Sequence, residues 1–336
     1  MNISDRKRTI LTAVIKIHTS SGDPVGSSLL ASFLDSLPVS SATLRNEMAE
    51  LTTLGLLEQP YTSAGRIPTQ LGIRYYVDNL MSQWSMSQNE QEHILNIISK
   101  LDSDPEKATE SSARTLAEMF NLSSIAMTPR SRNPHIVHFD VLKIGKFNLA
   151  LIGVTNAGSI NSRVCRLTYE ISNERIGDIE NILNELLVFV SPEDIMPELL
   201  EKAEQRLSTV SDNLQPLLLA VTTLVDSLSD FRLYTDGEQN LLGYNEIRGQ
   251  IHRYLEYINN PERMAAILTD SLAPVSIYIG EEIDPHLSNM ALITAHFRTG
   301  NLNGHFGIAG PSRMNYAYIV PRLKFFCDKL SEAFSE

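Results

Sequence analysis

The 336-residue chain has 43% hydrophobic and 20% charged residues, proportions typical of an ordinary globular protein. Its net charge of −12 argues against a surface that binds nucleic acid over its whole extent. No apolar run reaches the ~18 residues that a membrane helix requires. The N-terminus lacks the apolar core of a signal peptide, and two cysteines imply no disulfide framework. We therefore expect a cytoplasmic protein that does not associate with a membrane.

The charge is unevenly distributed along the chain. Residues 1–80 contain seven basic and seven acidic residues, so the whole net negative charge lies after residue 80. A neutral N-terminal region on an acidic body can still present a local basic face to a polyanion.

The first eighty residues predict four helices and a hairpin in the layout of a winged helix-turn-helix. The predicted helices cover 3–20, 27–37, 40–54 and about 70–84 (Trp84). Pro38 ends the second, and Val39 and Leu44 occupy the positions of a hydrophobic staple around the start of the third. Ser40 and Thr69 are suited to cap the third and fourth helices, because their side-chain oxygens accept first-turn amides. Residues 56–67 read as a strand, a turn-rich tip and a returning strand.

The third predicted helix has two distinct faces. Its apolar face consists of Leu44, Met48, Leu51 and Leu54. The opposite face consists of Ala42, Asn46, Ala49 and Thr53, flanked by Thr43 and Arg45. A small, polar helix face can enter the major groove, where asparagine pairs with adenine and arginine with guanine.

Specific roles follow for several of these side chains. Ala42 and Ala49 would allow close approach to the bases, and Ser41 and Thr43 would donate to phosphates. Arg66, beside Gly65 near the hairpin tip, would enter a minor groove or meet its phosphate rim. Two alternatives remain open at this point: a three-helix interaction module that does not bind DNA, and an Arg45 that is simply solvated.

The remainder of the chain alternates between strands and helices. Strands are predicted in LSSIAMT, HIVHFDVLKIG, FNLALIGVTNAG, SINSRVCRLTY, PVSIYIG, NMALITAHF and LNGHFGIAG, with a possible short strand in FRLYTDG. Residues 191–261 read as mostly helical and suggest an insertion into a sheet domain. They include the apolar run Pro216–Val225, which is either a self-association surface or an internal core helix.

Long segments of the chain resemble the HrcA family, heat-inducible transcription repressors of bacteria. The segments are GDPVGS, SSATLRNEMAELTTLGLLEQPYTSAGRIPT, GIRYYVD, LYTDGEQNLLGYNEI, VSIYIGEEIDPHLSNMALITAHF and GIAGPSRMNYAYIV. Two positions depart from the family's pattern: Ser28 stands where a basic residue is usual, and Tyr61 where a histidine follows the hairpin proline.

The resemblance implies an α+β protein with an N-terminal winged helix-turn-helix and a GAF-like sheet domain that carries an inserted, mostly helical dimerisation segment. The corresponding domains are 1–84 (DNA binding), 85–104 (linker), 105–190 with 262–336 (GAF-like) and 191–261 (insertion). It implies a homodimer on double-stranded operator DNA, the inverted-repeat CIRCE element of chaperone operons, kept active by the GroE chaperonin. The expected DNA-binding residues are Ser41, Ala42, Thr43, Arg45, Asn46, Ala49, Tyr61 and Arg66.

Other chemistry finds little support in the sequence. His135 and His138 face opposite sides of a predicted strand, which is poor geometry for a metal, so we expect no metal and no cofactor. GIAGPSR, before a helix that Ser312 could begin, could hold an anion but reads first as a tight turn. G-x-S-x-G, H-E-x-x-H and C-x-x-C do not occur, so we expect no enzyme. The main alternative function is a winged-helix repressor that responds to a small molecule.

Overall fold

The structure, a computed structural model of the chain, describes residues 3–34, 40–82, 85–130, 134–156, 160–211, 213–229, 231–271, 273–300 and 302–334. The α-helices are α1 Asp5–Ser21, α2 Ser27–Phe33, α3 Ser41–Thr53, α4 Gln70–Asn79, α5 Gln88–Ile98, α6 Pro105–Phe120, α7 Asn173–Leu186, α8 Pro197–Ser208, α9 Gln215–Asp226, α10 Ile251–Ile258, α11 Pro261–Thr269 and α12 Tyr316–Ala333. The strands are β1 Leu57–Glu58, β2 Ile67–Pro68, β3 Ser123–Arg130, β4 Ile136–Lys143, β5 Asn148–Thr155, β6 Ile160–Arg166, β7 Leu233–Asp236, β8 Val275–Ile279, β9 Met290–Thr299 and β10 Leu302–Pro311.

The chain divides into two compact units. The first unit contains Met1–Met127, Leu233–Phe297 and His305–Glu336, and the second contains Thr128–Arg232 and Arg298–Gly304. The domains expected from the sequence group the residues differently, with 1–84 separate and 191–261 as the insertion. That assignment stays a prediction.

The described part of residues 3–82, called the head below, contains α1 to α4 and the hairpin β1–β2. The caps predicted at Ser40 and Thr69 are confirmed: Ser40 Oγ accepts the Thr43 amide at 3.2 Å, and Thr69 Oγ1 accepts the Gly72 amide at 3.0 Å. Helix α4 ends at Asn79, short of its predicted end at Trp84, where the Met81 amide turns back to the Tyr76 carbonyl. Trp84, the end of the second predicted helix at Leu37, Pro38 and Val39 lie outside the described residues.

The first unit also contains a five-stranded sheet with the strand order β7-β3-β10-β9-β8. Strands β3 and β7 are antiparallel neighbours, although most of the second unit lies between them in sequence. Phe297, Phe306 and Phe326 pack their rings at centroid distances of 5.0 and 5.9 Å between the sheet and α12. Helix α12 begins after its cap Asn315 rather than at Ser312, because the Asn315 side chain accepts the Tyr318 amide.

The second unit is built on a three-stranded antiparallel sheet with the order β4-β5-β6. The outer edge of β4 is covered by α7, whose Asn184 side chain accepts the Phe139 amide at 2.9 Å and donates to the Phe139 carbonyl at 2.7 Å. Covering an edge in this way removes a template for unwanted strand pairing. The run Pro216–Val225 lies in α9, where Leu217, Val221 and Leu224 are fully buried in this unit's core. The structure thus favours the internal core helix over the self-association surface for this run.

Helix α5, which fills most of the predicted linker, is tied to α12 by one ion pair. The Arg322 guanidinium, 5% exposed, bonds Glu90 through Nη2 and through Nε at 3.2 Å, and it stacks on the Tyr318 ring at 3.8 Å. Hydrogen bonds from Arg322, and then from Ser87, lower the pKa of the Glu90 carboxyl to about 2.

Glu90→Gln is expected to lower the melting temperature most at neutral pH. Because the folded pKa of Glu90 lies below its ordinary value of 4.5, the stabilisation is complete above that value. It is lost as the pH falls towards 2, so the difference from the wild type should shrink over that range. Thermal melts at a series of pH values measure it, with Glu92→Gln on the exposed side of α5 as the control. A difference that does not depend on pH would contradict this assignment.

Candidate nucleic-acid interface

Helix α3 buries one face in the core of the head. Leu44, Met48 and Leu51 are 1%, 3% and 0% exposed, as the apolar spacing predicted. The prediction for Leu54 is wrong: this side chain is 38% exposed, because the helix ends at Thr53 and Leu54 already belongs to the turn that Gly55 completes with a φ of 74°.

The opposite face of α3 is open to solvent. Ala42, Asn46, Ala49, Arg45 and Ser41 are exposed. Thr43 is half-buried, and its hydroxyl lies 3.0 Å from Ser40 Oγ. Asn46 and Arg45 make no side-chain hydrogen bond or ion pair with any described residue. The two longest polar side chains of this face are therefore available to an external partner.

The carboxylates of α3 are neutralised by the start of α1. Glu47, which is buried, pairs with Arg6 and, at 3.2 Å, with the Lys7 ammonium. Lys7 also pairs with Glu50 at 2.9 Å, and this hydrogen bond lowers the pKa of Glu50 and raises that of Lys7. Both negative charges of α3 are thereby compensated, while Arg45 keeps its charge facing solvent.

The sequence analysis did not find this role of Arg6 and Lys7. The signal that was available is their place in the first turn of an amphipathic helix. The basic partners of the two glutamates on α3 can be identified only when the packing of α1 against α3 is known.

The hairpin that follows α3 carries Tyr61 at its tip. Tyr61 is 61% exposed, and its carbonyl accepts the Ala64 amide at 2.8 Å to close the turn. Gln59 stiffens the loop by donating to the carbonyls of Thr62 and Ala64, both at 2.9 Å. The tip is therefore an ordered loop that presents an aromatic hydroxyl to solvent.

Arg66 is the last residue of the hairpin loop, directly before β2, whose Ile67 pairs with Glu58 of β1. Its backbone forms a two-hydrogen-bond bridge with Val25, and its Nε donates to Thr52 Oγ1 on α3 at 3.1 Å. A β-carbon on Gly65 would lie 2.3 Å from the Val25 carbonyl oxygen, so only glycine permits this close approach. The guanidinium links the hairpin to α3 and is half-buried.

A cluster of side chains that could hold a cation lies in the second unit. One ligand atom from each of His138, Asp140 and Glu180 lies within 4.8 Å of the others. These groups already bind within the protein: His138 lies 3.3 Å from Asp140, and Glu180 accepts the Val141 amide at 3.2 Å. We assign no ion to them.

Among the described helices, none has the length and apolar composition needed to cross a bilayer.

Arg45→Ala is expected to weaken binding to operator DNA about tenfold without lowering the melting temperature, because the side chain is exposed and makes no hydrogen bond or ion pair with a described residue. A gel-shift titration and a thermal melt measure the two effects. Arg114→Ala, which removes another exposed arginine, paired with Asp236 at 3.6 Å, from α6, is the control. Unchanged operator affinity would remove Arg45 from the interface.

Comparison with known proteins gives consistent results over nearly the whole chain. The family model of the HrcA protein C terminal domain matches residues 106–320. The heat-inducible transcription repressor HrcA of Carboxydothermus hydrogenoformans is 30% identical, and the alignment covers 98% of each chain. That of Symbiobacterium thermophilum is 32% identical with the same coverage. A crystal structure described as a hypothetical protein has the same fold, with a TM-score of 0.59, 23% identity and coverage of 99% of this chain and 98% of the other.

Proposed function

Because the chain belongs to the HrcA family of heat-inducible transcription repressors, we propose that it represses chaperone operons by laying the outer face of α3 in the major groove of operator DNA. The observation that carries this proposal is the exposed face of α3. Asn46 and Arg45 on this face have no hydrogen-bond or ion-pair partner among the described residues, and α1 holds both carboxylates of the helix. The family is one of repressors and not of enzymes.

The layout of the head supports a winged helix-turn-helix. Three helices, a short antiparallel hairpin and a fourth helix follow one another, and the third helix is the one with an open polar face. In this proposal Asn46 reads adenine and Arg45 reads guanine, because these pairings are bidentate in the major groove. Ala42 and Ala49 allow the backbone to approach.

The remaining predicted contacts would position the head on the phosphate backbone. Ser41 and Thr43 lie in the first turn of α3, where hydroxyl and amide donors commonly bind phosphates. Tyr61 at the hairpin tip would reach a neighbouring phosphate through its hydroxyl. Arg66 would act mainly by holding the hairpin against Thr52, with a phosphate contact left to its terminal nitrogens.

We further propose that the protein binds its operator, an inverted repeat of the CIRCE type, as a homodimer. One helix in one groove reads few base pairs, whereas two copies related by a twofold axis read two half-sites. We place the self-association surface on the outer face of the second unit's sheet, where Leu142, Ile160 and Val164 are 51%, 69% and 64% exposed. Leu142 and Val164 both flank Ala150 in the strand register, so these side chains form one apolar patch.

Val164→Glu is expected to weaken self-association about tenfold or more, because an unpaired carboxylate would be buried between the two copies. Sedimentation velocity at matched concentrations measures the effect. Gln205→Glu, on the exposed side of α8 in the same unit, introduces the same charge and is expected to leave the dimer intact. A dimer unaffected by Val164→Glu would place the interface elsewhere.

The finer assignments of the sequence analysis are retained as part of this proposal. They comprise a GAF-like sheet domain and maintenance of the active repressor by the GroE chaperonin. The sequence analysis expected the dimer contact in residues 191–261, whereas we propose it on the outer face of β4–β6. A repressor of bacterial operons acts where the DNA is, so we place it in the cytoplasm. The five-stranded sheet interrupted between β3 and β7 supports an insertion into a sheet domain.

Operator binding measured with and without added chaperonin tests the proposed function. We expect salt-dependent binding to duplex DNA that carries the inverted repeat, since phosphate contacts release counterions, and a larger active fraction in the presence of chaperonin. The alternative, a repressor controlled by a small molecule, predicts no effect of chaperonin. Absence of any salt-dependent binding to duplex DNA would contradict both.

A further inference from the structure

A cavity of about 480 Å³ lies in the first unit, beside the head. Its apolar walls come from Ile15 on α1, Phe120 at the end of α6 and Tyr316 in the first turn of α12, each at most 9% exposed. Pockets of this volume with mostly apolar walls are typical sites for small organic molecules. Neither operator recognition nor self-association as described above uses this cavity.

The charges around the cavity have one sign. Its described lining residues include Lys16 and Arg313 and no carboxylate, although the protein as a whole carries a net charge of −12. Arg313 is partly engaged, since it pairs with Glu246 and donates to the Thr19 carbonyl at 2.9 Å. Lys16 is exposed and makes no ion pair with a described residue. Glu246 pairs with Arg313 from outside the lining, so the unpaired cation at the cavity is Lys16, and its charge favours an anionic ligand.

One polar group in the lining has no hydrogen-bond partner among the described residues. Tyr76 is 5% exposed and lines the cavity, and its hydroxyl makes no hydrogen bond with any described residue. The Tyr76 hydroxyl oxygen is not among the fully buried unsatisfied atoms, so it stays accessible from the cavity and can donate to a ligand there. Burial raises the pKa of Tyr76, which keeps the phenol protonated as a donor at neutral pH.

We propose that this cavity binds a small amphipathic organic anion, with its carboxylate or phosphate head towards Lys16 and Arg313 and its apolar body against Ile15, Phe120 and Tyr316. The Tyr76 hydroxyl donates a hydrogen bond to the ligand. Because the ligand contacts helices of the head and α12 together, its binding stabilises the folded first unit by mass action. This site does not depend on DNA binding, so the ligand proposal and the repressor function can be tested independently.

Calorimetric titration of the full-length protein in the absence of DNA tests the site. Octanoate and octyl phosphate are the anionic probes and distinguish the two head groups. Octanol and octyltrimethylammonium have the same chain with a neutral or a positive head. We expect saturable binding of at least one anion at one site per chain, at least tenfold tighter than the alcohol and the cation, and a melting temperature raised by about 2 °C or more at saturation.

Two variants locate the binding on the protein. Lys16→Gln is expected to weaken the anion about tenfold, because it removes the free cation, and Tyr76→Phe several-fold, because it removes only the hydroxyl. Lys100→Gln is the matched control and should leave binding unchanged. Lys100 is an exposed lysine two residues after the end of α5, and it does not line the cavity. Equal binding of the anions, alcohol and cation, or anion binding unaffected by both Lys16→Gln and Tyr76→Phe, would overturn the proposal.

Discussion

Leu51→Ala is expected to lower the free energy of unfolding of the head by about 2–5 kcal/mol, the usual range for a buried leucine. Leu51 is fully buried and belongs to the core cluster that also contains Ile10 and Val14 of α1. Removing its side chain leaves a cavity between α1 and α3. The same change should abolish operator binding at temperatures where the head is unfolded, since α3 then loses the support that presents its outer face.

Calorimetry and proteolysis of the full-length variant measure this effect. Leu71→Ala is the matched control, because Leu71 lies on α4 in the same head and is 54% exposed. We expect the control to change stability by less than about 0.5 kcal/mol. Equal stability of the Leu51 and Leu71 variants would mean that α3 is rotated relative to the structure described here.

Asn46→Ala is expected to relax base preference at one position of each half-site by about 1–3 kcal/mol, which is the discrimination typical of one bidentate contact. Affinity for unrelated duplexes should fall much less, because Asn46 carries no charge and contributes little to the general attraction to phosphates. Gel-shift titrations with the operator and with operators substituted at single A·T pairs measure this preference.

Asn96→Ala removes the same side chain from the exposed side of α5 and serves as the control. It should leave both affinity and preference unchanged. If Asn46→Ala weakens all duplexes equally, the asparagine contacts the DNA backbone and does not read a base.

The two faces of α3 could be predicted from the sequence because they follow from the period of the helix. Leu44, Met48 and Leu51 repeat at helical spacing and are buried, and Asn46 lies opposite them and is exposed. The rule failed at Leu54, where the helix had already ended. Periodicity predicts a face only while the backbone remains helical, and helix ends are the least certain part of such predictions.

Contacts between elements distant in the sequence could not be predicted in this way. The pairs that Glu47 and Glu50 make with the start of α1 depend on how two helices cross. The place of Arg66 depends on the approach of Gly65 to Val25, which a turn-rich sequence does not reveal. The composition of a hairpin predicts a turn, but not which distant residues its side chains and backbone contact.

The same distinction applies to the sheets. Each strand was visible as a short apolar or alternating segment, yet the sheet to which it belongs was not. Strand β7 joins β3 after more than a hundred residues, while β4, β5 and β6 form a sheet of their own. Alternation gives the faces of one strand, and partners at long range are selected by packing of the whole unit.

Site-directed cleavage of operator DNA tests most directly the central claim that the outer face of α3 lies in the major groove. Ala49→Cys places an exposed thiol on that face, while Cys165 and Cys327 are buried, so an iron–EDTA reagent can be attached selectively. We expect cleavage at two sites, one within each half of the inverted repeat, and none from the same reagent on Ser111→Cys of α6. Uniform cleavage along the duplex, or equal cleavage from both positions, would contradict the account.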